Sequence, residues 1–194
     1  MSAKFTVTVP DWFSRLCLWI VLTFYRLRFG HSACFIHIKK FRFAIVDPAD
    51  YDGLCRFKWR LNRSSRTFYA FCTVSRGPLL KPRVIWMHRQ VANPPDDLLV
   101  DHINHNGLDN RRSNLRFATD STNQQNARKS ITKTTSRFKG VDFVKATGLW
   151  RARISVAGKR IFLGSFTSEL DAALTYDEAA RKFFGEYACL NFNP

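Results

Sequence analysis

Acidic residues are scarce in this chain. Fifteen Asp and Glu stand against 31 Lys and Arg over 194 residues, a formal net charge of +16. An excess this large on a small protein implies a polyanionic partner, most often nucleic acid. C-x2-C pairs are absent, because Cys17, Cys34, Cys55, Cys72 and Cys189 all stand alone, which argues against a zinc ribbon or a redox dithiol. An odd count with no clear cleavable signal points to a reducing compartment, the cytoplasm of a phage or bacterial host rather than secretion. Long hydrophobic runs are missing too. The apolar run 16–24 falls short of the roughly 20 residues that span a bilayer, so no membrane partner is expected, and residues 1–33 are left as an unassigned apolar extension. What is present argues for packed cores: 45% of residues are hydrophobic and 14% aromatic, with 18 Phe. That composition excludes a disordered chain and a membrane bundle, and the length suits one ordinary domain or two or three small ones.

Residues 34–83 read as a small β-rich region, broken by Asp47-Pro48, Gly53 and Gly77-Pro78. Asp47-Pro48 suits the start of a short helix, with Asp at the cap. Arg56, Lys58, Arg60, Arg63 and Arg66 form a basic cluster, which is either a phosphate track or a solvated face. Residues 98–103 and 115–118 are strand candidates around a polar loop with an Asn106-Gly107 turn signal. Asp120 or Ser121 can cap a helix running to about Lys129. Residues 131–137 read as a linker.

From 138 to 194 the pattern predicts three strands, 139–145, 149–156 and 159–165, then a helix from Glu169 to Phe184. Ser168 suits its cap and Gly185 its end. Leu170, Ala173, Leu174, Ala180 and Phe183 form the stripe expected to face the sheet. Trp150, Ala152, Ile154 and Val156 alternate with Arg151, Arg153 and Ser155, so one sheet face is apolar and the other cationic. Charge is lopsided within this module: 133–160 carries eight basic residues and one acid, Asp142, whereas 161–194 carries two basic and five acidic.

The centre of the chain holds Asp101-His102-Ile103-Asn104, then Asp109-Asn110-Arg111-Arg112-Ser113-Asn114-Leu115-Arg116, then Asn123-Gln124-Gln125-Asn126. A carboxylate and an amide oxygen suit a hard divalent cation such as Mg2+. A neutral His beside them can take a proton from water, and a metal with a base is what phosphodiester hydrolysis needs. A regular strand aims Asp101 and His102 to opposite faces, so joint use requires a bend. This set, preceded by Met87-His88-Arg89, resembles the HNH endonucleases of phage and intron-encoded homing type over residues 84–130. The resemblance implies a β-β-α-metal fold with His102 as general base and Asp101 and Asn123 as metal ligands. It also implies that Asn114 is the catalytic-motif residue that holds the loop. Asn126 is the alternative ligand, and His88 matches a recurrent His ahead of the motif. His105 stands where Gly is common, as loop decoration or a further DNA or metal contact.

The second constellation comprises Lys139-Gly140-Val141, Trp150-Arg151-Ala152-Arg153-Ile154, Arg160-Ile161-Phe162-Leu163-Gly164, Tyr176-Asp177-Glu178-Ala179-Ala180 and Leu190-Asn191-Phe192. It resembles the APETALA2/ethylene-response-factor DNA-binding domain along the whole module. The resemblance implies a sheet in the major groove, with Lys139, Arg151, Arg153, Arg160 and Phe162 as DNA contacts. Asp142 and Ser155 stand where plant members carry Arg, and Arg153 where many carry Glu, so the plant target sequence does not transfer.

Together these features predict an α+β chain: a β-rich N-terminal region, a nuclease module, then a three-stranded antiparallel sheet on one helix. The expected function is DNA endonuclease of the homing or mobile-element type, using one divalent ion, Mg2+ first and Mn2+ as the alternative. Double-stranded DNA is the expected partner, with no small-molecule cofactor and a monomer or weak dimer as the assembly. The rival reading is a sequence-specific DNA-binding protein with an inactive nuclease module.

Overall fold

The computed structural model describes residues 33–39, 42–64, 66–78, 80–129 and 135–192, with five helical positions between 19 and 27. Expectations for most of 1–33 and for 131–134 lie outside the described residues. The chain divides into two compact units, 1–95 with 100–116, and 96–99 with 117–194. Among the described residues, no helix is long and apolar enough to cross a membrane.

The first unit opens with an antiparallel hairpin, β1 (Cys34–Lys39) and β2 (Arg42–Val46), in register Cys34↔Val46. Helix α1 (Pro48–Cys55) follows. Asp47 is its N-cap residue, but its side chain does not cap the helix; it accepts instead from the Arg112 backbone N–H at 2.7 Å. Strands β3 (Arg60–Arg63), β4 (Phe68–Val74) and β5 (Arg83–Trp86) form an antiparallel sheet in that order. Helix α2 (Met87–Ala92) leads on, and β6 (Leu99–His102) pairs with β7 (Leu115–Ala118). One core gathers Ile36, Val46, Leu54, Trp59, Ala70, Cys72, Met87, Val91 and Leu108. It draws on both the 34–83 and the 84–130 regions, so the β-rich region is the floor on which the motif is built.

The second unit holds α3 (Asp120–Asn126), the sheet β8 (Val141–Val144), β9 (Leu149–Val156) and β10 (Lys159–Phe166), and α4 (Glu169–Phe184). The sheet is antiparallel with β9 central. Two expectations for α3 need correction. Thr119 caps it in place of Asp120 or Ser121, because Thr119 and Thr122 satisfy each other's backbone N–H groups. It also stops at Asn126, where Ala127 turns extended. Ser136, within the expected linker, is buried and donates to Glu169 Oε1 at 2.7 Å.

The α4 boundaries and its Ser168 cap agree with the sequence pattern, but of its expected buried stripe only Ala173 and Ala180 do. Ala172, Ala173, Tyr176, Ala180 and Phe184 face inward, while Leu170, Leu174 and Phe183 are 49%, 51% and 44% exposed. Small alanines let the helix lie close to the sheet. Tyr176 then lies over Gly140, whose φ is +76° and where a Cβ would sit 1.9 Å from the Tyr176 ring. Asp177 is buried and accepts from Asn191 N, Asn191 Nδ2 and Phe192 N at 2.8–3.0 Å. Asn191 also bridges to the Lys139 backbone. The YDEAA and LNF signatures thus form one staple, built on buried Asp177, that closes the module.

Candidate functional site

His102 ends β6 and is buried. Its Nε2 lies 3.3 Å from Asn110 Oδ1. Asn110 is fully buried, and its Nδ2 donates to the Leu108 carbonyl at 3.2 Å and to Met87 Sδ at 3.4 Å. With the amide nitrogen committed there, Oδ1 is the acceptor and His102 Nε2 the donor, so a neutral His102 carries its lone pair on Nδ1. Asn110 owes its place to β2: its backbone N–H donates to Ile45 O at 2.7 Å, and Ile45 N donates to Leu108 O at 2.8 Å. Burial lowers the His102 pKa from its usual 6.5, against the Asn110 hydrogen bond and the charges of Asp101 and Asp109, which raise it. The imidazole is therefore neutral at pH 7.

Two other rings flank His102, and a third lies behind them. Tyr69 and His88 lie 5.7 and 5.3 Å from it, centroid to centroid. Trp86 stacks on His88 at 6.0 Å. The His88 Nδ1 is buried with no hydrogen-bond partner among the described residues. Burial, then His102 and Arg89 nearby, pushes the His88 pKa down to about 3. The Tyr69 pKa is raised by burial and by Asp101.

Asp101 is also buried, and Arg116 donates to its Oδ2 from Nε at 3.0 Å and Nη2 at 2.8 Å. The loop between β6 and β7 is closed by amides and one more ion pair. Asn114 Oδ1 accepts from Asn104 N at 3.0 Å, and its Nδ2 donates to Asp109 O at 2.8 Å. Asp109, fully buried, takes Arg111 Nε and Nη2 at 2.8 Å each and Asn104 Nδ2 at 2.8 Å. Arg112 grips Asp50 from outside. Gly107 has no positive φ; a Cβ there would meet the Tyr69 ring at 2.5 Å and Phe68 O at 2.6 Å. Its small size lets the loop lie on Tyr69. His105 does adopt a left-handed conformation, φ +60°, which gives a physical reason for Gly at this place in such loops.

In the second unit, Asn123 lies in the first helical turns of α3 and is half-buried, while Asn126 is buried at the helix end. On the sheet, Arg151 and Arg153 both reach Asp142, at 2.7 and 2.6 Å. Burial opposes ionisation of Asp142, but the hydrogen bonds from the two guanidiniums hold its pKa below the ordinary carboxylate value. Arg160 is exposed, as is Phe162, opposite Arg153 in the register. Lys139 differs from these four, since its Nζ turns to the Gln125 carbonyl at 2.6 Å and burial lowers its pKa.

The profile of the HNH endonuclease family matches residues 80–125. An uncharacterized HNH endonuclease of Acanthamoeba polyphaga mimivirus is 30% identical over 149 residues, covering 77% of this chain and 74% of that protein. The chain belongs to the HNH endonuclease family. A separate stretch of this HNH endonuclease is 45% identical over 58 residues to APETALA2-like protein 2 of Oryza sativa subsp. indica. It is also 48% identical over 59 residues to the AP2-like ethylene-responsive transcription factor PLT2 of Arabidopsis thaliana. The matches cover 13% and 10% of those two proteins. The enzyme therefore combines an HNH nuclease with an AP2-type DNA-binding domain.

Sequence reasoning passed over Asn110 and Arg116 as site residues, although both lie inside the motif. Their roles depend on burial and on β2, which spacing does not encode. For the metal that the family resemblance implies, no three His, Cys, Asp or Glu side chains converge as ligands among the described residues. Of the residues expected to hold it, Asp101 carries a carboxylate in the first unit, and Asn123 and Asn126 carry carboxamides in the second. That donor chemistry fits a hard ion that keeps several waters.

Proposed function

We propose that this HNH endonuclease hydrolyses DNA phosphodiesters with His102 as general base, and that it belongs to a mobile element. The observation that carries the reading is the buried Asn110–His102 pair, in which an amide committed to Leu108 and Met87 turns its oxygen to the imidazole Nε2. His102 Nδ1 would take the proton of the attacking water, and the electron pair of the broken P–O bond would leave on the 3′-oxygen. The charge of Asp101 would stabilise the resulting imidazolium. Asn114 keeps the loop closed under His102 through Asn104 and Asp109. Asp101 and, from the motif, Asn123 would hold one divalent ion, Mg2+ by donor hardness, with Mn2+ as the substitute and Asn126 as the alternative ligand. When bound, the ion would neutralise charge on the phosphate and on the leaving oxygen.

The AP2-type sheet would hold the DNA through Arg151, Arg153, Arg160 and Phe162, with affinity that falls steeply with salt. Tethering raises the local concentration of DNA at the nuclease. Lys139 would contribute to the module's closure, as its inward ammonium suggests, more than to DNA contact. One catalytic centre per chain makes nicking the expected product of a monomer.

The test is cleavage of supercoiled plasmid with Mg2+ or Mn2+, an EDTA control and His102→Ala. Metal-dependent nicking that the substitution lowers by about 100-fold or more supports the reading. Unchanged nicking by His102→Ala would remove His102 from the chemistry. Retained DNA retardation with no cleavage under any metal would favour the inactive, DNA-binding alternative. Burial holds the His102 pKa below the ordinary histidine value, so the base loses its lone pair to a proton only at a pH lower than a free imidazole would. Its acid limb is expected below that value, and a limb at or above it would contradict a buried base.

A further inference from the structure

The sheet β3–β5 has one face in the core and one outside it. On the inner face Ala70 and Cys72 are buried, with Leu61, Phe68 and Ile85 packed beside them. The other face carries Arg60, Phe71 and Trp86 in one register row. Tyr69 and Val84 flank that row on the same face, by the alternation of the strands. Arg60 is exposed, Val84 is 48% exposed, and Phe71, Tyr69 and Trp86 are half-buried. The row continues without a break to the catalytic centre. Phe71 contacts Trp86 at 5.6 Å, Trp86 contacts Tyr69 at 6.3 Å, and Tyr69 contacts His102 at 5.7 Å. The sequence around it is one-sided in charge: residues 53–95 contain nine Lys and Arg and no Asp or Glu.

Aromatic rings half-exposed on a sheet, an exposed guanidinium at its edge and no acid nearby in the sequence are what a nucleic-acid strand needs. The guanidinium meets phosphate, and the ring faces meet sugar and base. We propose that this outer face is a DNA-contact surface of the nuclease unit itself, separate from the AP2-type sheet. It seats the DNA flanking the cut bond, with Arg60 on a backbone phosphate and Phe71, Val84 and Trp86 against deoxyribose and base edges. The inference rests on His102 being at the centre of cleavage, because the face matters through its continuity with that residue. It also assigns chemistry to the β-rich region, most of which lies ahead of the matched HNH segment.

The test uses the full chain and initial rates of plasmid nicking over a range of plasmid concentrations. Four substitutions are compared with wild type and His102→Ala. Arg60→Glu and Val84→Ser alter the outer face at exposed positions. Trp86→Ala removes the ring, and Trp86→Phe restores an aromatic face. Arg63→Glu serves as a fifth, matched charge reversal on the same strand, three register positions from the row and on the opposite face. Thermal unfolding checks that each variant folds. The expected result is that Arg60→Glu raises KM about tenfold or more and Val84→Ser about threefold, with kcat little changed. Trp86→Ala should raise KM and Trp86→Phe should recover most of it, while Arg63→Glu should change KM by no more than about twofold. If wild type nicks and His102→Ala does not, yet Arg60→Glu and Val84→Ser match Arg63→Glu, the surface is overturned and the nuclease reading stands. The surface is likewise overturned if Arg60→Glu and Val84→Ser nick normally but lose self-association by sedimentation, which would give the face to a second copy of the chain. If His102→Ala nicks like wild type, both readings fall together.

Discussion

The two units use polar side chains in opposite ways. In the nuclease unit Asp101, His102, Asp109, Asn110 and Asn114 are all buried. Each of them is held by a neighbour, and the neighbours are themselves held. In the AP2-type unit the buried carboxylate of Asp177 closes the fold through half-buried Asn191, while Arg160 and Phe162 remain outside. Chemistry on a proton requires a fixed tautomer and a pKa set by burial. Attraction to phosphate requires charge that solvent and DNA can reach. Damage to the first unit should therefore appear as lost turnover or lost stability, and damage to the cationic face of the second as changed affinity and salt dependence.

The largest way to break this contrast is Asn110→Ala. It removes the partner of His102 Nε2 and leaves that nitrogen buried without its acceptor. We predict a drop in kcat of about 10–100-fold, of the size seen when orienting partners of functional groups are removed, with DNA retardation unaffected. A loss of affinity with turnover intact would show that Asn110 does not orient the base.

Next is Gly107→Ala. A methyl group there meets the Tyr69 ring and the Phe68 carbonyl, so the loop or the ring must shift. The predicted cost is about 1–3 kcal/mol of stability, read from denaturant unfolding. No change in midpoint would mean that Tyr69 moves aside freely, and the tight seating of the loop would be wrong.

Asp142→Asn probes the other side of the comparison. It releases two guanidiniums from the carboxylate that now holds them. DNA affinity is expected to rise roughly threefold to tenfold at low salt, with the gain shrinking as salt is added. A salt-independent change, or weaker binding, would indicate that the clamp aims the arginines more than it neutralises them.

The smallest effect is expected from His105→Gly. The left-handed φ of +60° at His105 strains any residue with a Cβ. Glycine should stabilise the unit by about 1 kcal/mol or less, seen as a small rise in melting temperature. A fall would show that the His105 side chain contributes more than the strain costs.

Much of this protein could be read from its residues. The three strands and the long helix of the C-terminal module follow from alternation, turn glycines and a Ser168 cap, all local signals. The strand pair around the polar loop was likewise visible from 98–103 and 115–118. Of the inward face of α4 only Ala173 and Ala180 were, because the pattern favours large residues such as Leu170 and Leu174, whereas the close approach of Tyr176 to Gly140 selects alanines. The place of Asn110 was hidden for a related reason. Its partners Ile45, Met87 and His102 are distant in sequence, and nothing in the spacing brings β2 to the loop.

The sequence by itself determined the charge, the two motif sets and the α+β class, because composition and short-range periodicity are properties of neighbouring residues. The tertiary structure decided which nitrogen of His102 is held, that Arg116 grips Asp101, that Lys139 turns inward, and that an aromatic row runs from β3–β5 to His102. Those facts depend on burial and on contacts between distant segments, and they exist only once one core has closed beneath both the β-rich region and the motif.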